Sequence, residues 1–540
     1  MLLDHLERHA RERGEATALF WAPEGRSVSW RQLWADVTAR AATLGKHDLA
    51  GEPVLIFGAN DPDSVISFLG AMRAGLTPSF MPLPAARFDP SAYWTQHQTL
   101  FRHIGRGALI APEASLPQLR TSCPDNPLAL IAAETLAEGG DGPIPSRPAA
   151  DTVALLQHSS GTTGLKKGVA LSFAAIERQV QAYRQTLDFG PDAVIASWLP
   201  LYHDMGLVAC LLLPLSVGAR ATFLDPFQWT ARPQLLFDAI EDSKATHVWL
   251  PNFAFRHLVR AVRPRDERWA LGSVRAWINC SEPCKPAAFD AFIERYGDHG
   301  VSAGALACCY AMAETVFAVS QTSPGEPPRR RRIAADGFGE PGVKVREADE
   351  CAPSVDVLSC GRPLPDCRIV IEGSEDGEEV FGQILVSAPF LFEGYHKDPD
   401  RTARALRDGW YATGDVGFLS GGELFVCGRL DDRIIVGGRN LYAHEIEQLA
   451  SGVAGVIPGR AVAIGVPDEE TGTERLVIAA EIGDADPAGV TARLIEAIDA
   501  GMGLRPTDVR LFRDRRIIKT TSGKLDRKKN RERYLDGGFS

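Results

Sequence analysis

The chain has 540 residues, of which 45% are hydrophobic and 24% are charged, and its formal net charge is −11. The length predicts more than one domain, and the charge argues against nucleic acid or an anionic membrane as the main partner. No apolar run reaches the roughly 18 residues of a membrane span, and the charged, amphipathic N-terminus is unlike a signal peptide. Ten cysteines are sparse for this length, so we expect reduced thiols and a cytoplasmic protein.

Short β-rich runs alternate with helix-like stretches from residue 52 to about 310. "EPVLIFGAN" is followed by "DPDSVISFLGAMRAG", and "THVWLP" is followed by "NFAFRHLVRAV". Such alternation predicts an α/β fold built from βαβ units, with largely parallel sheets covered on both faces.

The alternation fades after residue 310 into Gly, Pro and charged residues. "PPRRRR" at 327–332 indicates a solvated loop more than a phosphate or partner site. A Gly-rich β region follows to about residue 430, and after "GRLDDRIIVGG" the composition changes to that of a small α/β unit. Its strands are predicted near "AVAIGV" and "RLVIAAEI", before a basic tail.

The stretch "LLQHSSGTTGLKKGVALS", residues 155–172, combines three glycines with two adjacent lysines. Glycine costs conformational entropy on folding and neighbouring lysines repel, so a bound anion would explain this composition. The loop lies between strand-like "TVALLQH" and helix-like "SFAAIERQVQAYRQ", where its N–H groups and hydroxyls could surround a polyphosphate. A Gly-rich turn with solvated lysines is the alternative on this stretch alone. The GxxxxGK[ST] pattern is absent, which disfavours a kinase-like or GTPase-like protein.

Six further motifs follow this loop in a fixed order. They are "WLPLYHDMGL" (198–207), "INCSEPC" (278–284), "CCYAMAETVFAVS" (308–320), "GWYATGD" (409–415), "GRLDDRIIVGGRNLYAHEIE" (428–447) and "KTTSGKLDRKK" (519–529). The ordered set resembles the adenylate-forming superfamily of acyl-CoA synthetases, nonribosomal-peptide adenylation domains and luciferases. Each motif alone is weak, but the resemblance spans about residues 20 to 530.

This resemblance implies a large N-terminal domain, residues 1–430, of αβα-layered sheets plus a β subdomain. A small, mobile α+β C-terminal domain, residues 431–540, would follow a hinge near Asp431. It also implies that a carboxylic acid attacks the α-phosphate of ATP to give acyl-adenylate and pyrophosphate, with Mg²⁺ as cofactor. The acyl group would then pass to a thiol, and no protein nucleophile is implied.

The resemblance carries the family's nucleotide-binding residues onto this chain. They are the phosphate loop (Ser160, Gly161, Thr162, Thr163, Gly164) with Lys167, the adenine-flanking turn (Ser281, Glu282, Pro283), the adenine-stacking Tyr310 beside Ala311, and the ribose-binding Asp415 with its partner Arg429. Ala311 replaces the family's usual glycine, and its methyl group could narrow the pocket.

Three residues are assigned to the chemistry in the same way. Glu314 resembles the magnesium ligand, and Lys524 resembles the lysine that stabilises charge developing during adenylation. His203 resembles the histidine at the mouth of the acyl pocket. Without the motifs, an isolated Glu, Lys or His in these settings would more often be a cap, a surface charge or a structural residue.

The acceptor of the acyl group divides the family. "PLYHDMGL", "NCSEP", "AETVFAVS" and "LSCGRPLP", with an irregular segment at 327–357, favour fatty-acyl-AMP ligases, which use an acyl carrier protein. "FEGYHKDP" and "IIVGGRN" instead resemble acyl-CoA ligases that use coenzyme A. Apolar surroundings of His203 favour a fatty or other apolar acid. An adenylating enzyme with a non-thiol acceptor and an inactive nucleotide-binding relative are the remaining alternatives.

Overall fold

The computed structural model describes residues 1–22, 24–83, 90–137, 142, 145–159, 167–263, 268–375, 377–436, 439–468, 473–520 and 523–539. Strands of the first 430 residues are β1 (Thr17–Trp21), β2 (Arg26–Ser29), β3 (Pro53–Phe57), β4 (Thr77–Met81), β5 (Ala108–Ala111), β6 (Ala129–Ala132), β7 (Val153–Ser159), β8 (Lys167–Ser172), β9 (Val194–Ser197), β10 (Arg220–Phe223), β11 (His247–Leu250), β12 (Ala276–Asn279), β13 (Leu306–Ala311), β14 (Ala318–Gln321), β15 (Arg330–Ala334), β16 (Ser354–Leu358), β17 (Arg362–Pro363), β18 (Arg368–Ile371), β19 (Gly382–Ser387), β20 (Gly394–Tyr395), β21 (Leu406–Arg407), β22 (Trp410–Ser420) and β23 (Glu423–Arg429).

Helices of the same part are α1 (Leu2–Glu12), α2 (Trp30–Leu44), α3 (Pro62–Arg73), α4 (Pro90–Ile104), α5 (Leu116–Ser122), α6 (Ala133–Ala137), α7 (Phe173–Leu187), α8 (Leu213–Val217), α9 (Pro226–Ala231), α10 (Leu235–Ser243), α11 (Asn252–Ala261), α12 (Pro286–Tyr296) and α13 (Pro399–Ala405). The remaining elements are β24 (Arg433–Val436), β25 (Arg439–Tyr442), α14 (Ala443–Gly452), β26 (Val456–Asp468), β27 (Thr473–Ile482), α15 (Pro487–Met502), β28 (Asp508–Phe512) and α16 (Arg527–Leu535).

The largest sheet has the strand order β17-β14-β13-β12-β11-β9-β10-β1-β2. Its central strands, from β13 to β1, are parallel, and their residues are almost all buried because helices cover both faces. A second parallel sheet has the order β4-β3-β5-β6. The predicted α/β class and the largely parallel sheets are therefore confirmed.

The structure extends the α/β pattern to a part of the sequence where the alternation was not recognised. Strand β1 lies before residue 52 and pairs in parallel with β10, at Leu19↔Ala221. Helix α1 packs its apolar face on this region, with Leu2, Leu3 and Leu6 buried. These elements were missed because β1 is separated from its partner by about two hundred residues of sequence.

The polypeptide around the phosphate loop differs from the predicted strand–loop–helix arrangement. β7 and β8 pair antiparallel from Val153↔Ser172 to Ser159↔Lys167, so the loop joins two strands of a hairpin. Helix α7 begins only after β8, where the Ser172 hydroxyl accepts a hydrogen bond from the N–H of Ala175 at 3.1 Å. The loop is therefore not placed at a helix N-terminus, and the residues 160–166 lie outside the described residues.

The run of arginines at 327–332 was expected to be a solvated loop, which is wrong for its second half. Arg330 to Arg332 lie in β15, which pairs antiparallel with β16. Arg331 points inward with its side chain only 12% exposed, because Glu347 and Glu379 neutralise it and the ring of Phe418 packs beneath it. A charge pattern cannot show such a partner more than forty residues away.

The β region predicted up to residue 430 is the antiparallel sheet β18-β19-β22-β21, extended by β23. The strands predicted near "AVAIGV" and "RLVIAAEI" are confirmed as β26 and β27, which pair antiparallel. Strand β28 pairs in parallel with β27, so that the described residues form a three-stranded sheet here. Three apolar clusters in this last part contain only residues from Ile434 onward. Among the described residues, no helix has the length and apolar character that crossing a membrane requires.

Candidate active site

The predicted ribose-binding residues form a hydrogen-bonded group. Asp415 and Arg429 are register partners in β22 and β23, and Arg429 Nε donates to Asp415 Oδ1 at 2.9 Å. Tyr310, near the end of β13, donates its hydroxyl to Asp415 Oδ2 at 2.6 Å. Burial and the adjacent Asp415 carboxylate raise the pKa of Tyr310, so its hydroxyl stays a donor at neutral pH. The group fixes both carboxylate oxygens while each keeps a lone pair for a ligand hydroxyl.

A second group joins Glu314 and Lys167. Glu314 lies in the short turn Ala313–Thr315, is 9% exposed, and accepts a hydrogen bond from the Tyr395 hydroxyl at 2.8 Å. Lys167 Nζ lies 5.4 Å from the centre of the Tyr395 ring, because β20 pairs with β8 at Tyr395↔Val169. Burial lowers the pKa of Lys167, while the Glu314 carboxylate acts in the opposite direction. The Glu314 carboxylate and the Lys167 ammonium group therefore both lie at the Tyr395 side chain, and Lys167 follows the phosphate loop in sequence.

The donor set at Glu314 fits a magnesium ion. In the part of the chain that the structure describes, no three His, Cys, Asp or Glu side chains are grouped as a metal site. A cation at Glu314 would complete its ligands with phosphate oxygens and water, as Mg²⁺ does in phosphate-binding sites. The hydrogen bond from Tyr395 engages Oε1 and orients the Glu314 carboxylate, which would hold the cation.

The adenine-flanking turn is strained and anchored. Ser281 has φ +69°, which is unusual for a residue with a side chain, and the Glu282 carboxylate accepts a hydrogen bond from the N–H of Phe253 at 2.9 Å. The turn follows β12, next to the end of β13 that carries Tyr310. Ala311 is half-buried beside Tyr310, and Pro283 is exposed.

His203 is hydrogen-bonded to Asp204, a residue that sequence reasoning did not single out and on which the charge of Lys524 acts. His203 Nδ1 lies 2.9 Å from Asp204 Oδ1, and because a carboxylate can only accept, Nδ1–H is the donor. Burial raises the pKa of Asp204, but the His203 hydrogen bond and the positive charge of Lys524 outweigh it, and the pKa is lowered. Lys524 thus lies within electrostatic reach of the predicted acyl-pocket histidine.

Asp204 also begins an apolar segment. Its carboxylate accepts the N–H of Met205 at 2.8 Å, and the π-helical stretch Met205–Leu212 that follows is buried at every position. Such stretches are frequent at functional sites. A buried apolar segment therefore follows His203 and Asp204 directly in sequence.

The remaining site residues divide into exposed and undescribed ones. Asp431 is exposed in the short turn Leu430–Asp432. The predicted loop residues Ser160, Gly161, Thr162, Thr163 and Gly164 lie outside the described residues. The phosphate contacts assigned to the loop stay predictions.

Three further residues belong to the site although the motifs did not assign them. Tyr395 holds Glu314, Asp204 holds His203, and Arg527 binds Glu447 with two nitrogens and Asp432, next to the predicted hinge residue Asp431, with a third. Arg527 and Glu447 both lie inside the quoted motifs, so that signal was available. Tyr395 lies in "FEGYHKDP", a segment that the sequence linked only to the choice of acceptor.

Replacing Tyr395 by phenylalanine is expected to weaken the use of magnesium about tenfold. The variant removes one hydrogen bond to a carboxylate, an interaction typically worth 1.5 to 3 kcal/mol, and lets Glu314 change orientation. The measurement is acid-dependent pyrophosphate exchange as a function of Mg²⁺ concentration. Tyr534→Phe, which removes a similar bond to Asp508, is the matched control. An unchanged Mg²⁺ dependence would show that Tyr395 does not orient Glu314.

Comparisons with known proteins identify the family of this chain. The model of the AMP-binding enzyme family matches residues 6–396. A putative acyl-CoA synthetase of Caulobacter vibrioides is 30% identical over 523 residues, covering 94% of this chain and 91% of its own. The long-chain-fatty-acid–AMP ligase FadD26 of Mycobacterium marinum is 29% identical over 552 residues, covering 95% of this chain and 92% of its own.

Solved structures are similar over the full chain. One from a study of fatty acyl-adenylate ligases from E. coli and L. pneumophila has a TM-score of 0.90 at 25% identity, covering 99% of this chain and 98% of the other. The McyG A-PCP structure with phenylalanyl-adenylate has a TM-score of 0.86 at 21% identity, covering 100% and 96%, and shows the fold alone. The match over residues 6–396 and the site around Asp415, Glu314 and Lys524 lead to one conclusion: the chain belongs to the AMP-binding enzyme family and is an ATP-dependent, AMP-forming ligase.

Proposed function

We propose that this protein converts an apolar, fatty-type carboxylic acid and ATP to acyl-AMP and pyrophosphate. It then transfers the acyl group to the phosphopantetheine thiol of an acyl carrier protein. The observation that carries this proposal is the convergence of two groups from distant parts of the sequence: Tyr310, Asp415 and Arg429 in one, and Glu314, Tyr395 and Lys167 in the other.

In the first step, a carboxylate oxygen of the acid bonds to the α-phosphorus, and the bond from that phosphorus to pyrophosphate breaks. Asp415 binds the ribose hydroxyls, and Lys167 pairs with the outer phosphates. Lys524 stabilises the negative charge on the acid and the α-phosphate, and such preorganised charges usually supply the largest catalytic contribution. A magnesium ion held by Glu314 would neutralise the phosphates and favour departure of pyrophosphate.

In the second step, the thiol sulfur bonds to the carbonyl carbon and the bond from that carbon to AMP breaks. AMP leaves with the electron pair, and the thiol proton passes to solvent. Lys524 is not needed at this stage, which is consistent with a C-terminal unit that moves between steps.

An apolar acid is supported by the buried apolar segment that follows His203 in the sequence. Every residue of Met205–Leu212 is buried, and α8 continues this surface with Leu213 and Leu215. Relatives of similar length are named long-chain-fatty-acid–AMP ligases, including FadD30 of Mycobacterium tuberculosis at 30% identity. The chain length of the acid is measured with a panel of saturated acids.

Division of the chain near Asp431 is part of the proposal. Three apolar clusters built only from residues from Ile434 onward support a separate C-terminal unit. Tyr442 of that unit donates its hydroxyl to the carbonyl of Gly339 at 2.9 Å and packs on Phe338. This contact ties the C-terminal unit to the segment 327–357, which the sequence links to fatty-acyl-AMP ligases. It therefore supports a carrier protein over coenzyme A as acceptor. The cytoplasmic location stays a prediction.

The test is acid-dependent pyrophosphate exchange over saturated acids of increasing length, followed by mass spectrometry of the acyl product. We expect exchange with long acids and an acyl product on a phosphopantetheinylated carrier protein. Acyl-CoA as the sole thioester would move the assignment to the coenzyme A ligases. Release of ADP in place of AMP would contradict the proposed reaction.

A further inference from the structure

A buried ion pair joins the residues after 431 to the rest of the chain. Lys285 lies directly before helix α12, two residues after the adenine-flanking turn, and Glu445 lies in the first turn of α14. Lys285 Nζ contacts Glu445 Oε1, and the two side chains are only 12% and 13% exposed. Both charges are therefore largely removed from water and depend on each other.

The surroundings fix both partners. The backbone N–H of Lys285 donates to Asn252 Oδ1 at 3.1 Å, and His444 Nε2 lies 3.1 Å from Glu445 Oε1. Burial raises the pKa of Glu445, but the positive charges of Lys285 and His444 lower it by a larger amount. The net effect is a lowered pKa. Glu445 is thus a carboxylate at neutral pH, with its main counter-charge on the other side of the contact.

Lys519 and Glu282, from the two sides of this contact, also act on each other electrostatically. Burial lowers the pKa of Lys519, and Glu282 is among the carboxylates that oppose this effect. Lys519 lies in "KTTSGK", the segment that carries Lys524, and Glu282 belongs to the adenine-flanking turn. In this orientation Lys524 also acts on Asp204, beside His203.

We propose that the Lys285–Glu445 ion pair is a positioning device for adenylation, which favours the present orientation of residues 431–540, in which the charge of Lys524 acts on Asp204 next to His203. This inference rests on the proposed function. Rotation of the C-terminal unit away from this orientation separates Glu445 from Lys285. An interaction that exists in one state only shifts the population toward that state, in proportion to its differential free energy.

The test compares two half-reactions in variants that keep side-chain size. Lys285→Met and Glu445→Gln are each expected to lower acid-dependent pyrophosphate exchange about tenfold, since conformational couplings are typically 5- to 150-fold. Transfer from preformed dodecanoyl-AMP to pantetheine should stay within about twofold of the wild type or rise. The charge swap Lys285→Glu with Glu445→Lys should restore most of the exchange. Lys344→Met, which breaks an exposed pair with Glu378, is the control and should change neither rate.

Three results would overturn the inference: equal loss of both half-reactions, a charge swap no better than the single variants, or exchange that does not change. If Lys285→Met does not fold, Glu445→Gln and the charge swap test the role of the ion pair in the same two half-reactions. A wild-type protein without exchange would refute the proposed function instead, so the two failures are distinguishable.

A distance measurement gives an independent readout. Cys351 is the exposed cysteine of the chain, and Glu496 is exposed on α15, so labels at Cys351 and at Glu496→Cys report on the orientation of the C-terminal unit. Lys285→Met should shift the energy-transfer efficiency toward a second population, and Lys344→Met should not. An unchanged distribution in Lys285→Met would count against the inference.

Discussion

Replacing Lys524 by alanine is expected to slow acid-dependent pyrophosphate exchange by about 10²- to 10³-fold, the usual effect of removing one preorganised charge or donor. Lys524 is half-exposed, so its loss removes little core packing. Its positive charge acts on Asp204, which holds His203 at 2.9 Å. Adenylation therefore loses its main counter-charge while the nucleotide-binding group at Asp415 stays intact.

The matched control is Lys528→Ala, which removes an exposed lysine of the same basic tail. Both variants are measured for pyrophosphate exchange and for transfer from preformed dodecanoyl-AMP to pantetheine. Only exchange by Lys524→Ala should fall. If Lys524→Ala forms adenylate at the wild-type rate, the role assigned to this lysine is wrong.

Replacing Asp431 by proline is expected to reduce acyl transfer to the thiol by at least about tenfold while sparing adenylation. Asp431 lies in the short helical turn Leu430–Asp432, where φ is close to the value that proline imposes. The present orientation, with Lys524 near His203, is therefore retained. Rotation of the C-terminal unit requires a change in the backbone dihedrals of the hinge. Proline at residue 431 prevents this change because its ring fixes φ.

Asp431→Ala is the control, because it removes the same exposed carboxylate without fixing φ. Single-turnover kinetics separate formation of acyl-AMP from its consumption by pantetheine. Accumulation of acyl-AMP in Asp431→Pro alone supports the hinge. Equal loss of both steps, or the same defect in Asp431→Ala, would refute a hinge at this residue.

Local patterns in the sequence were sufficient for the fold class and for many elements. The strand and helix in "THVWLP" and "NFAFRHLVRAV" are β11 and α11, and the strand in "VRAWINC" is β12. A buried parallel strand is a short apolar run, so its identity is encoded locally. The grouping of Tyr310, Asp415 and Arg429 also follows the family resemblance, because the motifs keep their order.

Errors arose where a distant partner decides the structure. Strand β8 was not recognised as a strand, because its pairing with β7 and β20 is not visible in its own composition. The buried Arg331 depends on Glu347 and Glu379. A residue's own neighbours in sequence carry no record of such contacts.

The sequence by itself determined the α/β class and the order of the motifs, and it predicted the residues that meet ATP, because hydrophobic periodicity and motif spacing are local properties. Only the tertiary structure decided that Tyr395 holds Glu314, that Asp204 joins His203 to the charge of Lys524, and that Lys285 pairs with Glu445. These contacts join residues from different strands, helices and turns. Their energies depend on burial and on distance in space, which arise only when the chain has folded.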